Sequence, residues 1–388
     1  MKRILYTDIS SGFGGSSIVL YEFLKNVDRD KFQPVVVVTR DGPNFEKIKG
    51  INVKVIKKDF KPVGLIVAGA KSSYLSLIFD LVFHFLPNTL VLWRIIRKEE
   101  IYLVHINNNI QFCIDIILAA KLARVPCVCH IRETRPLGKL DKLFGRFVDI
   151  IIVLNKNVLE NFIRVFGIEK VRLIYDGLNL NDPAIRNADA LKVKNELNLK
   201  EVFCVGVLGR LVEGKGFDDF IQAASIVKRA NKNVKFLIIG DNPDKGKSYQ
   251  DYLEGMVRQL NLTNDVTFTG WRADKFDIIS ALDVLVQASS SPEGFGLTCV
   301  EAMALSKPVI ATDIPGPADI VEEGKTGYLT PPKDPQSLAA AIMNFVGSPE
   351  LVKQFGTAGR LRAEAKFDMR KNVRKIEEIY EGLLNEMA

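Results

Sequence analysis

Short apolar segments rich in Val and Ile recur along this 388-residue chain, and stretches with helical spacing lie between many of them. The strand candidates are Arg3–Thr7, Val35–Thr39, Val53–Ile56, Leu103–Ile106, Cys127–His130 and Ile150–Leu154. They continue with Val202–Leu208, Lys235–Ile239, Val266–Phe268, Val284–Gln287 and Val309–Ala311. Helical stretches include Ser17–Asn26, Phe217–Ala230, Tyr249–Leu260 and Pro335–Val346. Strands that are apolar on both faces need helices on both faces, so the alternation predicts parallel sheets with right-handed crossovers. A polar run, NLNDPAIRNADALKVKNELN, falls between Gly177 and Lys200, and a new strand begins at Val202. The length also exceeds one ordinary core. Two α/β domains are therefore expected, residues 1–178 and 179–366, with a charge-rich helix over 367–388. In that helix Ile376, Ile379, Tyr380 and Leu383 fall at helical spacing and must dock on something.

Composition narrows the class. Hydrophobic residues make up 47% and charged residues 26%, as in globular proteins, which excludes a disordered chain. The start, MKRILYTDIS, has too short an apolar run for a signal peptide. Five cysteines are scattered. Cys127 and Cys129 share one face of a strand, without the second pair or histidine cluster of a zinc site, which fits structural thiols in a reducing cytoplasm. Net charge is +7, all of it from the first half: residues 1–190 carry 28 Lys+Arg against 19 Asp+Glu, the rest 25 against 27. Such a half attracts phosphates, acidic polymers or anionic lipid surfaces, or is simply an unevenly charged solvated surface. Residues 62–93 are strongly apolar, but Lys71 and Asp80 interrupt them, so no transmembrane helix is expected. Ser73, Ser76, Asp80 and His84 form one narrow polar stripe. Either this helix is nearly buried in the first domain, or its apolar face dips into a membrane surface.

Three glycine-containing loops follow strands, and each precedes a helix. Pro292-Glu293-Gly294-Phe295-Gly296-Leu297-Thr298-Cys299-Val300-Glu301 follows the Val284–Gln287 strand. Glycines there let the backbone approach a ligand and point amides at it, and the helix start favours phosphate or hydroxyl oxygens. Glu293 lies in the loop and Glu301 about two turns into the helix, so they read as two separate hydroxyl acceptors rather than a close acid/base pair. The plainer alternative is a glycine turn with two solvated glutamates. Gly209-Arg210-Leu211-Val212-Glu213-Gly214-Lys215-Gly216 offers two cations suited to a diphosphate leaving group, or two surface cations. Its spacing is not that of a Walker loop. Ser11-Gly12-Phe13-Gly14-Gly15-Ser16-Ser17 matches the dinucleotide fingerprint only weakly, which argues against a nicotinamide enzyme. Among the three histidines, His130 is the best placed, because it ends a strand, where ligands of open α/β sheets sit; the alternative is a satisfied core histidine. The three are too spread to suggest a metal site.

Together these elements resemble the family 4, or group 1, retaining glycosyltransferases. The match rests on E-G-F-G-L-x-x-x-E at Glu293 to Glu301 and E-A-M-A-L-S-K-P-V-I-A-T-D at Glu301–Asp313. Flanking pieces are F-T-G-W-R at Phe268–Arg272, S-A-L-D-V at Ser280–Val284, E-E-G-K-T-G-Y-L at Glu322–Leu329 and D-P-Q-S-L-A at Asp334–Ala339. The resemblance implies the α/β GT-B fold, two facing Rossmann-like domains whose C-terminal helix crosses back to the first. It implies a donor such as a UDP-, GDP- or ADP-sugar, with no cofactor and no metal required. By position, Glu301 would hold the ribose hydroxyls, and Glu293 with the amides of Gly294, Phe295, Gly296 and Leu297, followed by Thr298, would hold the donor sugar. Arg210 and Lys215 would neutralise the diphosphate, Gly14 and Gly15 would approach it, and His130 would lie near the reacting sugar. His130, Glu293, Arg210 and Lys215 are thus the catalytic candidates.

The chain departs from the family pattern at three places. Ser16 and Ser17 follow Gly14-Gly15 where a glutamate is usual, Asp176-Gly177-Leu178-Asn179 replaces N-G-V-D, and Gly316-Pro317-Ala318-Asp319 replaces G-G-x-x-E. All donor positions are intact, and the departures bear on the acceptor. The expected partners are a nucleotide sugar and a glycan or lipid-linked acceptor, with peripheral membrane contact through 62–93 and no nucleic acid. The expected place is the cytoplasm, at the inner face of the plasma membrane. The rival readings are a nucleotide-sugar 2-epimerase or phosphorylase of the same fold, and an inactive membrane-surface scaffold.

Overall fold

The computed structural model describes residues 1–8, 15–39, 43–58, 81–230, 233–242 and 248–386. These form two compact units, Met1–Asp176 with Met369–Ala388, and Gly177–Asp368. The first holds a seven-stranded sheet of β1 (Lys2–Asp8), β2 (Phe32–Val38), β3 (Lys54–Lys57), β4 (Ile101–Ile106), β5 (Cys127–His130), β6 (Ile150–Val153) and β7 (Val171–Leu173). The second holds β8 (Phe203–Leu208), β9 (Val234–Ile239), β10 (Val266–Gly270), β11 (Val284–Gln287), β12 (Val309–Thr312) and β13 (Gly327–Thr330). Every pairing is parallel, in the orders β3-β2-β1-β4-β5-β6-β7 and β10-β9-β8-β11-β12-β13. Each order reverses beside its first strand, the doubly wound arrangement that opens a crevice at the carboxyl edge.

Burial explains the strand sequences. Every residue of β5, β11 and β12 is buried, as in strands with helices on both faces. β3 lies at a sheet edge and exposes Lys54 and Lys57, charges that discourage pairing with another chain. Two strands carry no clear sequence signal. β7 has three residues, and β13 begins with a glycine whose added Cβ would lie 1.8 Å from the Val309 carbonyl oxygen. Helix starts follow capping chemistry: the side chains of Asn155, Asp182, Asp189 and Asp334 accept from amides two or three residues ahead.

The final helix, Met369–Asn385, starts two residues later than its charge pattern suggests, because Phe367 caps the preceding helix Pro349–Lys366. It belongs to the first unit. Ile376 and Tyr380 are buried there and Ile379 and Leu383 half-buried. Its polar anchors are specific. The Tyr380 hydroxyl lies 2.5 Å from His105 Nδ1, Glu377 Oε1 accepts from the Asp28 amide at 2.7 Å, and Asn372 Nδ2 donates to the Tyr175 carbonyl at 2.9 Å. No described helix is long and apolar enough to cross a membrane. Residues 59–80, most of the apolar 62–93 stretch, lie outside the described residues. Its described end contributes the helix Leu86–Lys98, which exposes Leu86 and Leu90 together with Arg94, Arg97 and Lys98.

Tyr380→Phe strands the buried His105 Nδ1. A loss of about 1–3 kcal/mol is expected, read as a lowered thermal midpoint of the full chain. An unchanged midpoint would show that the hydroxyl does not anchor the helix.

Candidate functional site

In the second unit β8, β11 and β12 run parallel, so the loops that follow them share one edge of the sheet. Backbone contacts lock these loops together. Gly216 has φ +72°, and a Cβ there would sit 1.8 Å from the Ala288 carbonyl oxygen, so only glycine fits. The Ser290 amide donates to the Gly214 carbonyl at 2.9 Å and the Glu293 amide to Pro315 at 3.1 Å. Gly316, at φ +101°, presses on the same loop: a Cβ would lie 2.7 Å from the Phe295 carbonyl oxygen and 2.9 Å from that of Glu293. The Gly-Pro-Ala-Asp run, a departure from the family pattern, keeps the glycine that this approach demands.

The side chains converge on that frame. Lys215 Nζ lies 2.5 Å from Glu293 Oε1, the oxygen that also accepts from Ser289 Oγ at 2.6 Å and Gln287 Nε2 at 3.3 Å. Thr312 Oγ1 reaches the carbonyls of Gln287 and Ser289 at 3.0 and 2.7 Å. Lys215 and Glu293 are both partly exposed, so this pair is ordered yet open to a ligand. Arg210 is exposed and its side chain has no hydrogen bond or ion pair among the described residues. The Phe295 ring is buried edge-on against Phe367, with centroids 5.7 Å apart, so only its backbone can serve a ligand. Gly296 precedes the helix Leu297–Ala304 without a capping side chain, and Leu297 and Thr298 are half-buried at its start. Glu301 is the fifth residue of that helix, just over one turn in rather than the two that its spacing suggested. It is 3% exposed and its partner is Lys275, a residue in no motif and 26 positions earlier.

The first unit gathers polar groups at the carboxyl ends of β4 and β5. His130 is 2% exposed, and neither ring nitrogen has a partner among the described residues. Burial first, then Arg132 and His105, pushes its imidazole well below the ordinary histidine value. His105 is pushed down to about 3, by burial and then Arg132. Beside them Arg132 pairs with Asp176 and donates from Nε to Asn107 Oδ1 at 2.6 Å. Asn109 Nδ2 donates to Glu133 at 2.8 Å. The meeting of Asn107, Arg132 and Asp176 is not legible in the sequence, although an Asn-Asn-Asn run directly after a strand is a usable signal. Gly15 opens the helix Gly15–Asn26 with no described atom within 4 Å of an added Cβ, whereas Gly14 lies outside the described residues. All five cysteines are buried and free, and among the described residues no three His, Cys, Asp or Glu side chains are grouped as metal ligands.

Comparison with known proteins meets this geometry from both units. Residues 189–362 match the family model described as Glycosyl transferases group 1, and residues 13–182 the one described as Glycosyltransferase Family 4. The chain belongs to the group 1 glycosyltransferases, and its two Rossmann-like units with the returning helix are the GT-B fold. A capsular polysaccharide biosynthesis glycosyltransferase, CapM of Staphylococcus aureus, is 30% identical over 197 residues, half of each chain. An alpha-D-kanosaminyltransferase of Streptomyces kanamyceticus is 24% identical over 266 residues, 67% of this chain and 68% of the relative. The crystal structure of Anabaena HepE in complex with UDP has a TM-score of 0.82 at 24% identity, covering 98% of this chain and 100% of the other.

The neutral histidines give a pH signature. In the unfolded chain a histidine takes up a proton below about pH 6.5, but folded His130 does not. His130→Phe removes that cost, so the variant gains stability relative to the parent as pH falls below about 6.5, by up to about 1.4 kcal/mol per pH unit. Urea denaturation of both chains from pH 8 to 5 checks this. A difference that stays constant with pH would mean that His130 is protonated in the folded unit.

Proposed function

We propose that this chain is a retaining, metal-independent hexosyltransferase. It moves a hexosyl unit from a nucleotide diphosphate sugar to a hydroxyl of a lipid-linked or polysaccharide acceptor in cell-surface glycan synthesis. The observation that carries this reading is the Lys215–Glu293 pair, held on two loops that glycine contacts lock together. The naming of CapM for capsule biosynthesis supports a cell-surface glycan, and the UDP bound by HepE supports a nucleotide-sugar donor. In this reading Glu293 and the backbone amides from Gly294 to Leu297 hold the donor sugar, with Thr298 beside them, and Glu301 accepts from the ribose diol. As the bond to the sugar breaks, charge grows on the diphosphate, and Lys215 and Arg210 stabilise it. No protein nucleophile is invoked: the departing diphosphate draws the acceptor proton, and attack comes from the same face. Burial keeps His130 neutral, and its assignment to the catalytic residues rests on the family resemblance alone.

A thermal-shift screen of UDP-, GDP- and ADP-sugars identifies the donor through selective stabilisation. With it, Lys215→Ala is expected to lower turnover by about 10²–10³-fold, with a smaller loss in donor affinity. Chelator should leave turnover unchanged, and the product should keep the donor's anomeric configuration by NMR. Nucleotide released without acceptor, or an affinity loss that accounts for the whole effect of Lys215→Ala, would sink the mechanism.

The same reading places the chain at the cytoplasmic membrane face. Leu86 and Leu90 are exposed on one end of the helix Leu86–Lys98, and Arg94, Arg97 and Lys98 on the other, as suits an anionic lipid surface. Leu86→Ser with Leu90→Ser should weaken sedimentation with phosphatidylglycerol vesicles several-fold. A parent chain that does not sediment with those vesicles would remove the membrane from the proposal.

A further inference from the structure

Glu301 is 3% exposed, and a carboxylate taken that far out of water costs several kcal/mol unless a cation meets it. Its one hydrogen-bonding partner among the described residues is Lys275 Nζ, at Oε1. Lys275 opens the helix Lys275–Ala281, beyond the end of β10. Its ammonium also lies 4.9 Å from the centroid of the Phe276 ring, and about a third of its side chain is exposed. The neighbouring acids are otherwise engaged: Asp274 pairs with Arg272 and Lys192, and Asp277 with Lys192. Arg272 in turn binds Glu196. Lys275 is thus committed to Glu301, holding one carboxylate oxygen while the other has no partner among the described residues.

A vicinal diol is the ligand that such a carboxylate suits, because it brings O–H donors to an oxygen whose acceptor capacity is unspent. We propose that Lys275 is the positioning residue for ribose recognition: it neutralises the buried Glu301 and fixes Oε1, leaving Oε2 as the acceptor for the ribose diol of a nucleoside diphosphate. This rests on the assignment of Glu301 to the ribose in the proposed function. Lysine here acts through Glu301, so its effect belongs to the diol and not to the base or the diphosphate.

Isothermal titration of the full chain with UDP, GDP and ADP, each beside its 2′,3′-dideoxy counterpart, tests this. The parent should prefer the ribose form of its nucleotide by at least about tenfold, as hydrogen bonds to a charged group are worth about 1.5–3 kcal/mol. Lys275→Met should shrink that preference to about twofold or less while binding the dideoxy form as the parent does, and Lys275→Arg should restore most of it. Glu301→Gln should lose the same preference, and adding Lys275→Met to it should cost nothing more, since the two residues act as one unit. Thermal midpoints without nucleotide report folding, and Lys275→Gln, which keeps a donor without charge, replaces the methionine variant if that one does not fold. Equal weakening of ribose and dideoxy forms by Lys275→Met, or a fully kept preference, overturns the role of Lys275. A preference that survives Glu301→Gln removes the ribose assignment itself, and no binding of any nucleotide removes both.

Discussion

A parallel strand cannot turn straight back on its neighbour; the chain must return over a face of the sheet. Both units obey this constraint, and it settles where polar groups can go. The sheets are covered on both sides, so their central strands β5, β11 and β12 are buried along their whole length, and the loops after the strands collect at one edge. In the second unit that edge carries Lys215, Glu293 and Ser289; in the first it carries Asn107, His130 and Arg132. Chemistry sits there because the buried middle of each sheet offers no place where a charge can be solvated.

Within the second unit two carboxylates meet their cations in different ways. Glu293 is partly exposed, and Lys215, Ser289 and Gln287 converge on a single oxygen. Glu301 is buried and pairs, among the described residues, with Lys275 alone. Both are oriented by protein donors before any substrate arrives, which is the pre-organisation that positioning and charge stabilisation require. Under the proposed function a diphosphate must share Lys215 with Glu293, whereas exposed Arg210 has no side-chain partner among the described residues, so the two cations differ in what binding asks of them.

Strands with strong apolar character were legible in the sequence. Cys127–His130 and Val284–Gln287 match their observed bounds, and the other named strands fall within a few residues. β7 and β13 were not, because one is three residues long and the other owes its place to a glycine packed against β12 rather than to apolar side chains. The loops of the candidate site were legible because glycine marks close backbone approach. Lys275 was not, since an ion pair spanning 26 residues leaves no local spacing to read. The pairing of Lys215 with Glu293 was equally hidden: each residue stood out alone, but only the fold shows that they meet.

The chain leaves its first unit at Asp176 and re-enters it at Met369, and the Leu178 amide donates to the Phe367 carbonyl at 2.9 Å where the two passages run side by side. One consequence concerns synthesis. The second unit is a single continuous segment and can complete itself as soon as it emerges from the ribosome. The first must wait until the whole second unit has been made before Tyr380 can reach His105, leaving that buried face open for the time needed to add about two hundred residues. The contact between the helix Met369–Asn385 and the rest of the first unit therefore closes only after the second unit has been made.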